Sequence, residues 1–186
     1  MKNSLPQDAK LVFKGELFEV WQWKQKMYDG SIEIFERVKQ VDNVDVIAVV
    51  NDKIILEVQE QPDRAEPFIS LPGGRCEEKE EPLVTAKREL LEETGYSSDH
   101  WELLMEHQPF NKMIWTIYNF IARDCSYEKI PRLDRGEKIT VKLVSFDEFI
   151  AASQEPTFRN KYLGTYLSRA SFDEAFRKKL YKTIFG

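Results

Sequence analysis

The chain has 186 residues, of which 42 % are hydrophobic and 32 % charged, with a net charge of −5. That length suits one domain with a conventional core. The longest uncharged apolar run, Val46 to Val50, is far too short to span a bilayer, and the acidic balance argues against the nucleic-acid backbone as main partner. Met1 to Lys10 is polar and reads as no signal peptide, and Cys76 and Cys125 form no disulfide framework. A reducing cytoplasm is the expected setting.

Leu11 to Phe13, Glu16 to Lys24 and Ser31 to Lys39 are rich in aromatic and β-branched residues and read as strands. Asp29-Gly30 between the last two is a hairpin signal, since a tight turn demands the positive φ that glycine tolerates. Val44 to Val50 is nearly all apolar, as expected of a strand buried on both faces, and Asn51-Asp52 turns it into a further strand, Lys53 to Gln59. A polar loop from Pro62 leads to Ile69-Ser70-Leu71 and then to Pro72-Gly73-Gly74, where the backbone must turn. Pro82 suits the first turn of a helix, Leu83, Ala86, Leu90 and Leu91 form its apolar stripe, and Gly95 is a natural stop. Strand patterns resume at Trp101 to His107, Met113 to Arg123 and Lys138 to Val144. Ser145 with Glu148 reads as a capping box, as does Ser171 with Glu174, and the second helix places Phe172, Phe176 and Leu180 in the core. The expected class is α+β, with a strand region over 1–42 and the main domain over 43–186.

Seven glutamates fall between Glu77 and Glu93. Glu89, Glu92 and Glu93 are three and four residues apart, so their carboxylates project from one helix face. Like charges at that spacing cost a few tenths of a kcal/mol per pair, and Arg88 relieves only part of this through Glu92. A solvated acidic face would explain the composition. The opposite face is apolar, however, and a glycine turn lies directly before the acids. Hard divalent cations take a few carboxylates together with substrate phosphates, which favours a metal site.

The segment from Gly74 through Glu80 and Arg88-Glu89-Leu90-Leu91-Glu92-Glu93-Thr94-Gly95-Tyr96 resembles the Nudix box. All its fixed positions match: Gly74, Glu80, Arg88, Glu89, Leu90, Glu92, Glu93 and Gly95, closed by apolar Tyr96. The resemblance implies an α/β/α sandwich with an amino-terminal antiparallel strand region, divalent metal, and hydrolysis of a nucleoside diphosphate linked to another moiety. It further implies that Glu89, Glu93 and the Gly73 carbonyl bind Mg2+, or Mn2+ in its place, with Glu92 coordinating or holding a water. Glu80 and Arg88 would pair to fix the loop, and Gly74 and Gly95 would serve the turns.

The whole chain is similar, more loosely, to the ADP-ribose pyrophosphatase-like branch. Glu60-Gln61 matches an element on the strand before the box, and Arg64 supplies a nearby arginine for substrate. In the late loop Asp134-Arg135-Gly136-Glu137, Glu137 matches a metal-binding glutamate, while Arg135 replaces the acid that is the general base in some members. Asp134, a box glutamate or the metals alone are the alternatives. Catalysis is thus expected to involve Glu92, Glu93 and Glu137, with Arg37, Gln61 and Arg64 on substrate. Arg37 is otherwise an ordinary exposed strand arginine, and Trp21, Trp23 and Tyr28 are adenine platforms or, more simply, packing residues. His100 and His107 are expected to be structural, and Cys76 has no histidine to activate it. The expected function is hydrolysis of ADP-ribose to AMP and ribose 5-phosphate, the alternatives being GDP-mannose or another nucleotide sugar, or a non-catalytic sensor. The expected partners are a small-molecule nucleotide sugar and a second copy of the chain, joined as a homodimer through the amino-terminal strands, with neither nucleic acid nor membrane.

Overall fold

A computed structural model describes residues 4–186. The strands are β1 (Lys10–Lys14), β2 (Glu19–Lys26), β3 (Ile32–Lys39), β4 (Asn43–Val50), β5 (Lys53–Glu60) and β6 (Phe68–Ser70), followed by helix α1 (Pro82–Thr94). Then come β7 (Tyr96–Ser97), β8 (His100–His107), β9 (Met113–Ile114), β10 (Ile117–Arg123), β11 (Ser126–Tyr127) and β12 (Lys138–Val144), and helices α2 (Phe146–Ala152), α3 (Lys161–Ser168) and α4 (Glu174–Phe185).

The central sheet runs β12-β5-β4-β10-β8, with β6 added against β5; β4 and β10 are parallel. Side chains on a strand alternate between faces, and this alternation divides the core into two layers. On one face, Val44, Val46 and Ala48 of β4, Ile55 of β5 and Phe120 and Ala122 of β10 pack with Ala86 and Leu90 of α1. On the other, Ile47, Val49, Ile54, Leu56 and Ile121 pack with Phe149, Leu163, Leu167, Leu180 and Ile184 of the three later helices. This is an α+β sandwich of helix, sheet and helices. The second sheet, β1-β2-β3-β9, draws its last strand from beyond residue 42, where Val38 and Lys39 pair with Met113 and Ile114. Among the described residues no helix is long and apolar enough to cross a membrane.

Most expected elements form close to their sequence signals. Pro82 opens α1, and Gly95 closes it in the left-handed conformation (φ 77°) with its N–H on the Leu91 carbonyl. Ser145 and Glu148 make both bonds of the capping box. Three findings depart from the sequence reading. The run Met113 to Arg123 is two strands, because Trp115 and Thr116 leave one sheet for the other, tied to Asn43 and Asp42. Helix α4 is capped by Asp173, whose side chain accepts from the Phe176 N–H, and not by Ser171. That shift leaves Phe172 ahead of the helix and 81 % exposed, so it is no core residue, while Leu180 is buried. The third is α3, which carried no recognised start signal.

The segment entering α3 is held firmly. Phe158 is fully buried, and the Arg159 N–H donates to the Ile69 carbonyl at 2.8 Å while Ile69 N–H donates to Thr157. Phe158→Ala should lower stability by about 3–5 kcal/mol, the usual cost of an emptied aromatic site, measured by urea unfolding. A loss near zero would show that this segment does not anchor α3 to β6.

Candidate active site

The turn Pro72-Gly73-Gly74 is laid along β4. Val46 N–H donates to the Pro72 carbonyl at 2.8 Å and Val44 N–H to the Gly74 carbonyl at 2.9 Å. A Cβ on Gly73 would lie 2.1 Å from the Val44 carbonyl oxygen, and one on Gly74 would lie 2.3 Å from Glu89 Oε1. Only bare backbone lets the strand and the Glu89 carboxylate approach this closely. The α1 helix then delivers its acids to the turn: Glu93 is buried, and its Oε2 accepts from the Gly73 N–H at 2.6 Å.

Arg88 organises the remaining acids. Its Nε and Nη2 donate to Glu80 at 3.2 and 3.0 Å, and Nη1 donates to Glu89 at 2.9 Å and Glu92 at 3.2 Å. Glu80 also accepts from Thr85 Oγ1 and the Glu77 N–H, so it ties the loop to the helix. The guanidinium beside Glu80 holds that carboxyl down to about 2. Glu80 and Arg88 are therefore paired where the loop meets the helix.

Glu89, Glu92, Glu93, Gly73, Gln61 and Glu137 line one cleft of about 660 Å³, together with Asp134, Arg132 and Arg159. Arg64 lies in an adjoining depression beside Gly136 and Glu137, its guanidinium 4.2 Å from the Phe68 ring centroid. Arg37 does not line this cleft but a separate depression with Phe35 and Lys112, donating to the Ser4 carbonyl at 2.6 Å and sitting over Trp23. Trp23 is buried and Tyr28 fully exposed. His107 stacks on Tyr162 at 3.9 Å, and His100 pairs with Asp124 at 2.7 Å.

Two site residues lie outside every motif read from the sequence. Glu57 is fully buried on the α1 face of β5; its Oε2 accepts from Gln59 at 2.8 Å and Ser70 at 3.3 Å, while Oε1 has no partner. Arg159 reaches the Gly73 carbonyl at 3.1 Å and Asp45 at 3.5 Å. The Glu57 signal was present, a lone acid in register with Ile55 in an apolar strand, whereas Arg159 sits in a loop without pattern.

Burial raises Glu89, and it raises Glu93 well above the ordinary carboxylate range, with the Glu57 carboxylate as the second cause. Among the described residues no three acids, cysteines or histidines converge as a ready-made cation cage. The donor chemistry nevertheless fits a hard divalent cation: oxygen ligands only, an orphaned buried carboxylate oxygen, and negative charge that burial leaves uncompensated. Glu57 is pushed up to about 7, mainly by burial, from an ordinary 4.5. Between these values the native state binds more protons than the unfolded one, so stability falls as pH rises through that window. The metal-free protein should therefore melt lower at about pH 8 than at about pH 5. Glu57→Gln should flatten that slope and raise the melting temperature at the alkaline end; an unchanged slope by differential scanning calorimetry would contradict the assignment.

Comparison with known proteins agrees with this geometry. The NUDIX domain model matches residues 39–165. A methanol dehydrogenase activator from Bacillus methanolicus is 27 % identical over 173 residues, covering 90 % of this chain and 92 % of that protein. An ADP-ribose pyrophosphatase from Bacillus subtilis (strain 168) is 34 % identical over 88 residues, 47 % of this chain and 48 % of its own. The solved structure of an ADP compounds hydrolase superposes with a TM-score of 0.71 at 18 % identity, over 94 % of this chain and 96 % of that one, which establishes the shared fold. With the matched model spanning most of the chain and the box acids gathered at one cleft, the protein belongs to the NUDIX domain family and is a Nudix hydrolase similar to ADP-ribose pyrophosphatases.

Proposed function

We propose that the chain hydrolyses the diphosphate linkage of a nucleoside diphosphate sugar with Mg2+, and that ADP-ribose is the first substrate to test. The observation that carries this is the gathering of Glu89, Glu92, Glu93 and Glu137 around a cleft that also presents the Gly73 backbone. The similarity to an ADP-ribose pyrophosphatase supports the substrate class. GDP-mannose and other nucleotide sugars remain the alternatives within it.

In this reading Glu89, Glu92, Glu93, Glu137 and the Gly73 carbonyl hold the cation, and Mn2+ is an acceptable replacement. The bound cation neutralises diphosphate charge and acidifies water. Gln61 and Arg64 orient the substrate at the cleft rim. Water attacks one phosphorus, the anhydride P–O bond breaks, and AMP and ribose 5-phosphate leave. The water's proton passes to a carboxylate, either a box glutamate or Asp134, because Arg135 cannot accept it. With the ordinary protein and Mg2+, a nucleotide-sugar panel should yield these phosphate products. Glu93→Gln keeps the side chain's shape and should lower turnover about 100-fold or more, since a metal contributes several kcal/mol to charge stabilisation. Wild-type rate in that variant would remove Glu93 from the site.

A second reading comes from the relative matched along nearly the whole chain, a dehydrogenase activator. It allows a role in which a nucleotide is sensed without turnover, and binding of ADP-ribose with no product from any panel member would favour it.

Assembly belongs to the same proposal. Leu11, Phe13, Phe18, Ile32 and Ile34 of the amino-terminal strands and their turn are exposed on the single protomer. The register puts Phe13, Ile32 and Ile34 on one face of this sheet and Leu11 on the other, and a closed two-fold dimer is the commonest assembly that would cover such side chains. The partner's cleft would then lie within reach of Arg37. Light scattering should give a dimer mass for the full chain and a monomer mass for the Ile32→Glu/Ile34→Glu double variant. A monomeric wild type with normal activity would rule out a shared pocket.

A further inference from the structure

We propose that Arg159 is a phosphate-binding residue of this cleft, parked on the Gly73 carbonyl until a diphosphate arrives. The inference rests on the hydrolase reading above and names a substrate contact that the motif does not contain.

The cleft has a charge problem. Its floor carries Glu89, Glu92, Glu93 and Glu137, yet its substrate is to be an anion. Arg88 cannot help, because its guanidinium is committed to Glu80, Glu89, Glu92 and the Arg75 carbonyl. Arg75 and Arg132 are exposed at the rim, where solvent screens them. Arg159 is half-buried and lines the cleft with the acids, its guanidinium 3.1 Å from the Gly73 carbonyl.

Its backbone is held firmly, while its head makes few hydrogen bonds and sits 5.9 Å from the Phe68 ring centroid. Arg159 N–H is bonded to the Ile69 carbonyl, Phe158 before it is fully buried, and the next side chain, Asn160, caps α3 while donating to Asp45 at 2.6 Å and Asn119 at 3.0 Å. The stem therefore cannot wander. The guanidinium, however, hydrogen-bonds through Nη2 alone, to the Gly73 carbonyl and, at a long 3.5 Å, to one oxygen of Asp45 whose other oxygen Asn160 has taken. Among the described residues Nε and Nη1 have no hydrogen-bond acceptor. Five N–H groups in a rigid fork suit a bidentate phosphate contact, and here most of the fork is unspent. Moving it from a neutral carbonyl to a phosphate replaces one hydrogen bond by charge-assisted ones and frees a Gly73 lone pair.

The test compares wild type, Arg159→Gln and Arg159→Lys by two measurements that need no turnover. Mn2+ affinity is read by electron paramagnetic resonance, and binding of inorganic pyrophosphate in Mg2+ by calorimetry. Loss of a charge-assisted contact should weaken pyrophosphate about 10- to 100-fold in Arg159→Gln, with partial recovery in Arg159→Lys. Mn2+ affinity should be undiminished, and KM for ADP-ribose should rise more than kcat falls. Unchanged pyrophosphate affinity in Arg159→Gln overturns the proposal. So does a joint loss of Mn2+ and pyrophosphate, which would make Arg159 a prop for the Gly73 turn. A wild type that binds both probes but cleaves no nucleotide sugar defeats the hydrolase substrate assignment alone; the pyrophosphate comparison still decides the role of Arg159.

Discussion

Carboxylates placed in the dry layer between a helix and a sheet must either keep their protons or find a cation, and much of this molecule is arranged around that constraint. Glu93 and Glu57 enter the layer from opposite sides, one from α1 and one from β5; burial raises both, and the Glu57 carboxylate raises Glu93 further. An ionised group so buried is costly unless paired or ligated. The protein supplies partial compensation in graded form: the Gly73 N–H on Glu93, Gln59 and Ser70 on Glu57, and Arg159 at a distance from both. On the reading proposed above, a divalent cation would complete the balance.

The scaffold makes this tension tolerable because it is over-determined elsewhere. Two apolar layers clamp β4, β5 and β10, so the strand ends that present the site cannot relax away from one another. The Pro72-Gly73-Gly74 turn is bonded to β4 on both sides of Gly73 and closes against Glu89. Glu80 and Arg88 then fix the loop between turn and helix. The two arginines nearest the acids divide the labour: Arg88 is structural by its saturation, and Arg159 is held by its backbone with a head that still has donors to give.

How much of this was legible in the sequence depended on whether the signal was local. Both ends of the box helix were readable, because Pro82 and Gly95 act within a few residues of themselves, whereas of the expected stripe Ala86 and Leu90 are buried and Leu83 is exposed. The acids' shared face followed from spacing alone. The break at Trp115 was not readable, since both halves of Met113 to Arg123 carry strand composition and only long-range bonds to Asp42 and Asn43 separate them. The start of α4 was misplaced because Ser171 and Asp173 are both good caps, and tertiary packing chose between them. Arg159 was invisible for a deeper reason. Its partners are Gly73 and Asp45, 86 and 114 residues away, and nothing in a loop's own composition records such a distance.

The cleft is built from two sources of different character. Its acidic floor comes from the helix, the glycine turn and the loop before β12, whereas Leu17 and Val41 at its rim come from the amino-terminal strand region and its junction with β4. Both rim residues are exposed and apolar. A nucleoside diphosphate sugar is divided in the same way, with a charged centre that needs cations and a flat, weakly polar base that gains from leaving water. On the proposed reading, the chemistry at the diphosphate would reside in residues that a short motif records. On that reading, selectivity would fall to side chains at the rim, near where the first sheet pairs through β3 and β9. This division explains why the reaction class is readable from 23 consecutive residues while the identity of the base is not. On the same reading, that discrimination would belong to the region that precedes the motif, which supplies Leu17 and Val41 to the cleft.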